Sequence, residues 1–177
     1  MGSCFAALRR APRPWNGSLV SLLTTVDAIN AGRRDRAVAL AREVLGGALD
    51  GRRIAVLGVA FKPGSDDVRD SASLAVCDRL MAEGAIVSVH DPVAMPNAAR
   101  KRPGLVCAQS VSEAAQGAEL VLHLTEWSDY RAIDPAALAR VVARRVVIDA
   151  RCCLDADLWR AAGWTVHVLG EPLRPAQ

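Results

Sequence analysis

Apolar residues first recur at helical spacing, then gather into short runs. Leu19, Leu22, Leu23, Val26 and Ile29, followed by Val38, Ala41, Val44 and Leu45, form one sustained stripe that predicts a long helix over residues 18–45. Asn16 or Ser18 can cap its start, and the Gly46-Gly47 pair stops it. Gly32 weakens the middle by about 1 kcal/mol relative to alanine and leaves room for a bend. A stripe of this length needs a surface to bury it. That surface is either the chain's own domain or, the reading preferred from the sequence, a second copy of the helix in a homodimer. From residue 53 the pattern changes. Runs bounded by glycine, proline and charged turns predict strands at 53–58, 86–90, 105–107, 120–124, 146–149 and 165–169. Helical spacing between them predicts helices at 72–83, 111–116, 135–143 and 156–162, with Gly84 and Gly163 where helix C-caps belong. This alternation predicts an α/β fold: a mostly parallel sheet with helices on both faces, preceded by a long helix. Three parts are expected: an irregular segment at 1–17, broken by Pro12 and Pro14; the helix at 18–48; and a sheet domain at 49–177.

Composition narrows the class. The 177 residues are 51% hydrophobic, enough for a real core. Twenty-two basic against 19 acidic residues leave a charge of +3, too mild to argue for nucleic acid without a basic run interleaved with aromatics. No apolar run reaches membrane-spanning length and no signal peptide is evident, so a membrane partner is not expected. The five cysteines, Cys4, Cys77, Cys107, Cys152 and Cys153, form no spaced framework, and a reducing cytoplasm is the expected location.

The chemistry collects after the strands. A buried-strand run, Ile54 to Leu57, closes on Gly58 and opens into a polar turn with Lys62, Pro63, Gly64, Asp66, Asp67 and Arg69, before Ser71 caps the next helix. Lys62 and Lys101 are the only lysines. Asp91, Thr125-Glu126-Trp127, Asp149 and Arg151 follow later strands, and in a parallel sheet all these ends share one edge. Lys62, Arg69 and Arg151 would give that edge a positive pocket suited to a pyrophosphate or phosphorylated sugar. For Asp91 and Asp149 a loop-holding role stays open beside a pocket role. A G-x-G-x-x-G dinucleotide fingerprint is absent, and so is a P-loop. His90, His123 and His167 all fall at strand positions, which favours packing roles. The adjacent Cys152-Cys153 pair is poorly spaced to chelate a metal, and none is expected.

These residues carry a resemblance. The run from Gly58 to Ser71, Gly-Val-Ala-Phe-Lys-Pro-Gly-Ser-Asp-Asp-Val-Arg-Asp-Ser, resembles the Gly-x-Ala-Phe-Lys-x-x-x-Asp-Asp-x-Arg-x-Ser signature of UDP-glucose dehydrogenases and related nucleotide-sugar dehydrogenases. His90-Asp91-Pro92, Thr125-Glu126-Trp127 and Asp149-Ala150-Arg151 are similar to later markers of that family, in the same order, and Val26-Asp27-Ala28-Ile29-Asn30 resembles its central dimerising helix. The resemblance implies a Rossmann-like UDP-binding domain, with the family's NAD-binding domain not represented in these residues. It implies that Phe61, Lys62 and Arg151 contact the sugar nucleotide and that Arg69 meets the NAD cofactor. Gly2-Ser3-Cys4-Phe5 resembles the motif whose cysteine is the nucleophile, so Cys4 would attack an aldehyde intermediate as a thiolate to give a thiohemiacetal, a second hydride transfer to NAD would give a thioester, and water would release the acid. The family's following Pro-Lys-Asp is replaced by Ala6-Ala7-Leu8, and its Gly-Arg-Asn becomes Ala150-Arg151-Cys152.

Two functions follow from the sequence. One is a UDP-glucose 6-dehydrogenase family protein, which oxidises a UDP-hexose to the hexuronate with NAD. Here the chain is expected to be truncated or split, inactive alone, and paired with a separate NAD-binding chain. The other is a non-catalytic, dimeric module that holds a UDP-sugar, or a degenerate remnant of one.

Overall fold

The structure is a computed structural model that describes residues 17–171. Helix α1 spans Gly17–Val44 and leads into strand β1, Arg53–Leu57. Then follow α2 (Ala72–Ala82), β2 (Ile86–His90), α3 (Met95–Lys101), β3 (Val106–Cys107), α4 (Val111–Ala114), β4 (Leu120–His123), α5 (Ser128–Arg131), α6 (Pro135–Leu138), β5 (Val146–Asp149), α7 (Ala156–Ala161) and β6 (Thr165–Val168). The six strands form one sheet in the order β3-β2-β1-β4-β5-β6, and every pairing is parallel. The order reverses between β1 and β4, which is the arrangement of a Rossmann-like fold. In a parallel sheet crossovers follow a right-handed rule, so those on either side of the reversal cover opposite faces with helices.

Burial follows position in the sheet. Strands β4 and β5 are buried at every residue, and β1 from Ile54 onward, as continuous apolar runs covered on both faces must be. Strand β2 alternates, with Ile86 exposed and Val87 and Val89 buried. The expected strands agree with the observed ones to within one residue at each end.

Two short helices, α3 and α5, were not expected. Pro96 and Pro103 argue for a loop, yet Pro96 sits in the first turn of α3, where a missing N–H costs nothing. Lys101 ends α3, exposed, and its Nζ donates to the Val68 carbonyl at 2.9 Å.

The second half of the α1 stripe finds its partner within the chain. Val38, Ala41 and Leu45 are buried in the core, and Arg42 grips Glu83, in the C-cap of α2, through contacts of 2.7–3.0 Å. Arg79 of α2 also pairs with Asp35 of α1. The first half of the stripe, Leu19 to Ile29, lies outside the residues whose side chains are described, as does the whole of segment 1–16 with Cys4.

The carboxyl edge closes around Gly58. Its φ is 91°, and a Cβ there would lie 2.4 Å from Thr125 Cβ and 2.8 Å from the Thr125 amide nitrogen. No side chain fits between the ends of β1 and β4. Gly58→Ala should therefore cost both left-handed strain and a backbone shift, about 2–4 kcal/mol in urea unfolding. Gly64→Ala, with φ at 71° but open space around it, should cost only the strain, about 1–2 kcal/mol. Equal losses would show that the Thr125 contact carries no energy.

Candidate functional site

The segments after the strands all emerge at one edge of the parallel sheet. Two buried carboxylates organise them. Asp91, after β2, is 2% exposed. Its Oδ2 accepts from the amides of Val59 and Ala60 at 2.8 and 2.9 Å and from the Trp127 indole at 3.2 Å. Its Oδ1 accepts from the amides of Val93 and Ala94 at 3.1 and 2.9 Å. Asp149, at the end of β5, is 1% exposed. Its Oδ1 accepts from His123 Nδ1 at 2.8 Å and the Arg151 amide at 2.9 Å, and its Oδ2 from the amides of Cys153 and Leu154 at 2.7 and 2.8 Å.

These bonds decide the protonation of the Asp149 pair. Burial pushes the Asp149 carboxyl up, but hydrogen bonds from His123 and from the Leu154 and Arg151 amides outweigh it, holding the group at about 2. An ionised carboxylate only accepts, so His123 Nδ1 carries the proton. His123 Nε2 is buried with no hydrogen-bond partner among the described residues. The Tyr130 ring meets His123 edge-on at 5.6 Å between centroids. Tyr130 donates its hydroxyl to the His90 carbonyl at 2.8 Å and lies 3.2 Å from His90 Nδ1. Burial raises the Tyr130 phenol above its usual range and lowers the His90 imidazole, so both stay neutral.

Two serines tie the start of α2 into this edge. Ser71 caps the helix by accepting from the Leu74 amide at 3.2 Å while donating to the Val59 carbonyl at 2.7 Å. Ser73 donates to the Leu124 carbonyl at 3.2 Å.

On this frame stand the residues singled out in the sequence. Phe61 is 44% exposed, a large apolar ring left in solvent, and Lys62 is exposed with no ion pair or hydrogen bond among the described residues. Arg151 turns back over the end of β4, its Nε donating to the Leu124 carbonyl at 2.6 Å and lying 3.2 Å from Glu126 Oε2. Arg69 is held by Asp67 at 2.8–3.2 Å, and this pairing lowers the Asp67 carboxyl well below its usual range. The structure thus puts Phe61, Lys62 and Arg151 on one edge, while no bond joins Lys62 to Arg151. Cys152 has φ at 55°, a conformation that asparagine tolerates far better than cysteine, which gives the Asn-to-Cys departure a backbone meaning. An open cavity of about 710 Å³ lies to one side, between Asp66–Arg69 and the α3 residues Asn97, Arg100 and Lys101. Sequence reasoning missed it because it read α3 as a loop.

The backbone amides that follow β1 leave no seat for a dinucleotide phosphate. In a dinucleotide fold, amides just after the first strand face the phosphates. Here the Val59 and Ala60 amides are taken by Asp91, and Thr125 closes on Gly58. Among the described residues no group of three His, Cys, Asp or Glu side chains could hold a metal ion, and no helix is long and apolar enough to cross a membrane.

Comparison with known proteins agrees on one family. The model of the UDP-glucose/GDP-mannose dehydrogenase family, UDP binding domain, matches residues 55–156. UDP-glucose 6-dehydrogenase of Rhizobium meliloti is 35% identical over 97% of this chain and 40% of its own length. That of Haloferax volcanii is 38% identical over 85% of this chain and 35% of its own. Among solved structures, a UDP-glucose dehydrogenase from Pyrobaculum islandicum superposes with a TM-score of 0.66 at 31% identity, covering 82% of this chain and 33% of that one. NDP-N-acetyl-D-galactosaminuronic acid dehydrogenase from Methanosarcina mazei gives 0.71 at 28%, covering 93% and 35%. The chain spans 34–40% of the length of the curated relatives compared.

The Asp149 value sets a pH dependence. The folded carboxyl lies below its usual 3.8, so its stabilisation is complete above about pH 4 and lost as pH falls toward 2. The contribution is on the order of 2 kcal/mol. Asp149→Asn should be less stable at pH 7, and its stability should fall less steeply than the parent's between pH 4 and 2. Parallel acid-unfolding curves would reject the assignment.

Proposed function

Since this chain belongs to the UDP-glucose/GDP-mannose dehydrogenase family, we propose that it is the sugar-nucleotide-binding part of an NAD-dependent nucleotide-sugar dehydrogenase. The observation that carries this is the carboxyl edge. Lys62 stands there without a carboxylate partner, beside the exposed ring of Phe61, on a loop pinned from below by Asp91. Phe61 offers a face for a base or sugar, Lys62 a charge for a diphosphate oxygen, and Arg151 a guanidinium with its NH groups left to reach a ligand. Burying charged contacts against phosphate is the task for which this edge is suited.

The amides after β1 are taken by Asp91 and do not seat a dinucleotide phosphate, so no hydride step is assigned to these residues. Arg69, the expected cofactor contact, projects from the turn on Asp67 toward solvent, where a separate NAD-binding unit could meet it. Cys4, the proposed nucleophile, lies outside the described residues. A homodimer through the first half of α1 belongs to the same reading, as does a reducing cytoplasm, which the free thiols of Cys77, Cys107, Cys152 and Cys153 support.

Calorimetry with UDP-glucose tests the site. Lys62→Ala and Arg151→Ala should each weaken binding by roughly 10- to 150-fold, the loss of one charge-assisted contact. Arg144→Ala, an exposed cation before β5 at the opposite edge, is the control and should leave affinity unchanged. Equal affinities in all three would reject the site. Activity is tested separately. The purified 177-residue chain should form no NADH from UDP-glucose and NAD. NADH formation that disappears in Cys4→Ser would overturn this and assign the full oxidation to the chain.

A further inference from the structure

We propose that Asp91 is a positioning residue for the sugar-nucleotide site, an internal anion that takes the place of a bound phosphate and so shapes the loop carrying Phe61 and Lys62. The inference rests on the reading of those two residues as ligand contacts. Five N–H donors from three separate loops converge on one buried carboxylate: Val59 and Ala60 after β1, Val93 and Ala94 after β2, and the Trp127 indole after β4. A lone buried charge is costly, and this one is compensated by amide and indole dipoles rather than by a cation. The two amides of the β1 loop belong to the residues immediately before Phe61 and Lys62. Their bonds to Asp91 therefore determine where the loop leaves the sheet. Lys62 is not used to neutralise this charge, which leaves its ammonium for an external anion.

The chemistry makes a sharp demand. Both carboxylate oxygens accept from at least two N–H groups, so each must be an acceptor. In Asp91→Asn, one of the two positions presents an NH2 group to N–H donors. In Asp91→Ala, all five donors lose their acceptor, around a void that a small carboxylate can enter.

The test uses the 177-residue chain and its Asp91→Ala and Asp91→Asn variants, with formate added against chloride at equal ionic strength. Two properties are read: hydrogen exchange of the amides at 59–62 relative to 54–57, and affinity for UDP. In Asp91→Ala the 59–62 amides should exchange at least about tenfold faster, and UDP affinity should fall by about tenfold. Formate, not chloride, should reverse both, and Asp91→Asn should shift both in the same direction without responding to formate. Parental exchange and parental affinity in either folded variant would overturn the proposal, as would losses in Asp91→Ala that formate does not move. If Asp91→Ala folds only in formate, the internal-anion role is supported directly. If it stays unfolded in formate while Asp91→Asn matches the parent, the role is overturned. A parent that fails to bind UDP, with exchange at 59–62 still governed by formate, sinks the ligand assignment while upholding the role of Asp91 in the loop.

Discussion

The close approach of β1 to β4 is the constraint on which the edge depends. Gly58 and Thr125 are in contact with no room for a methyl group between them. Because they touch, the Thr125 hydroxyl can donate to the Ala60 carbonyl at 3.2 Å, and Ser73 at the start of α2 can reach the end of β4. The crevice where strand order reverses is therefore stitched shut at its base. What remains for a ligand lies above it, on side chains that project from the loops. A related fold that leaves the crevice open can seat a phosphate on backbone amides; this one has already filled that seat with Asp91.

Much of the architecture was legible in the sequence because its signals are local. Apolar runs such as Ile54–Leu57 mark doubly covered strands, and Ser71, Gly84 and Gly163 mark helix ends by their backbone needs. Helix α3 was hidden because prolines usually read as breakers, and only the geometry shows Pro96 in a first turn. The long stripe of α1 was read as one surface, yet its second half packs within the domain. Periodicity tells that a face is buried and is silent about what buries it.

For the candidate site, residue types were readable and their roles less so. Lys62 stood out by rarity, and Arg151 by following a strand. Asp91 and Asp149 remained ambiguous between pocket and loop because a carboxylate near a strand end has the same sequence appearance in both roles. Their partners are mostly main-chain amides, those of Val59 and Ala60 from a distant loop and the others a few residues downstream, and amides leave no trace in residue identity. The network of His90, His123 and Tyr130 was invisible for the related reason that α5, which carries Tyr130, has no strong pattern of its own.

That dependence on main-chain donors bears on how this edge tolerates change. Asp149 holds its loop through the amides of Arg151, Cys153 and Leu154, and Asp91 holds Val59, Ala60, Val93 and Ala94 in the same way. An amide is supplied by every residue except proline. The bonds that hold these segments thus ask little of the side chains along them, which is how Ala150 and Cys152 can occupy the loop that Asp149 holds, Cys152 doing so at a left-handed φ of 55°. Two acidic residues act as the memory of the shape, and the remaining positions become raw material for new specificity.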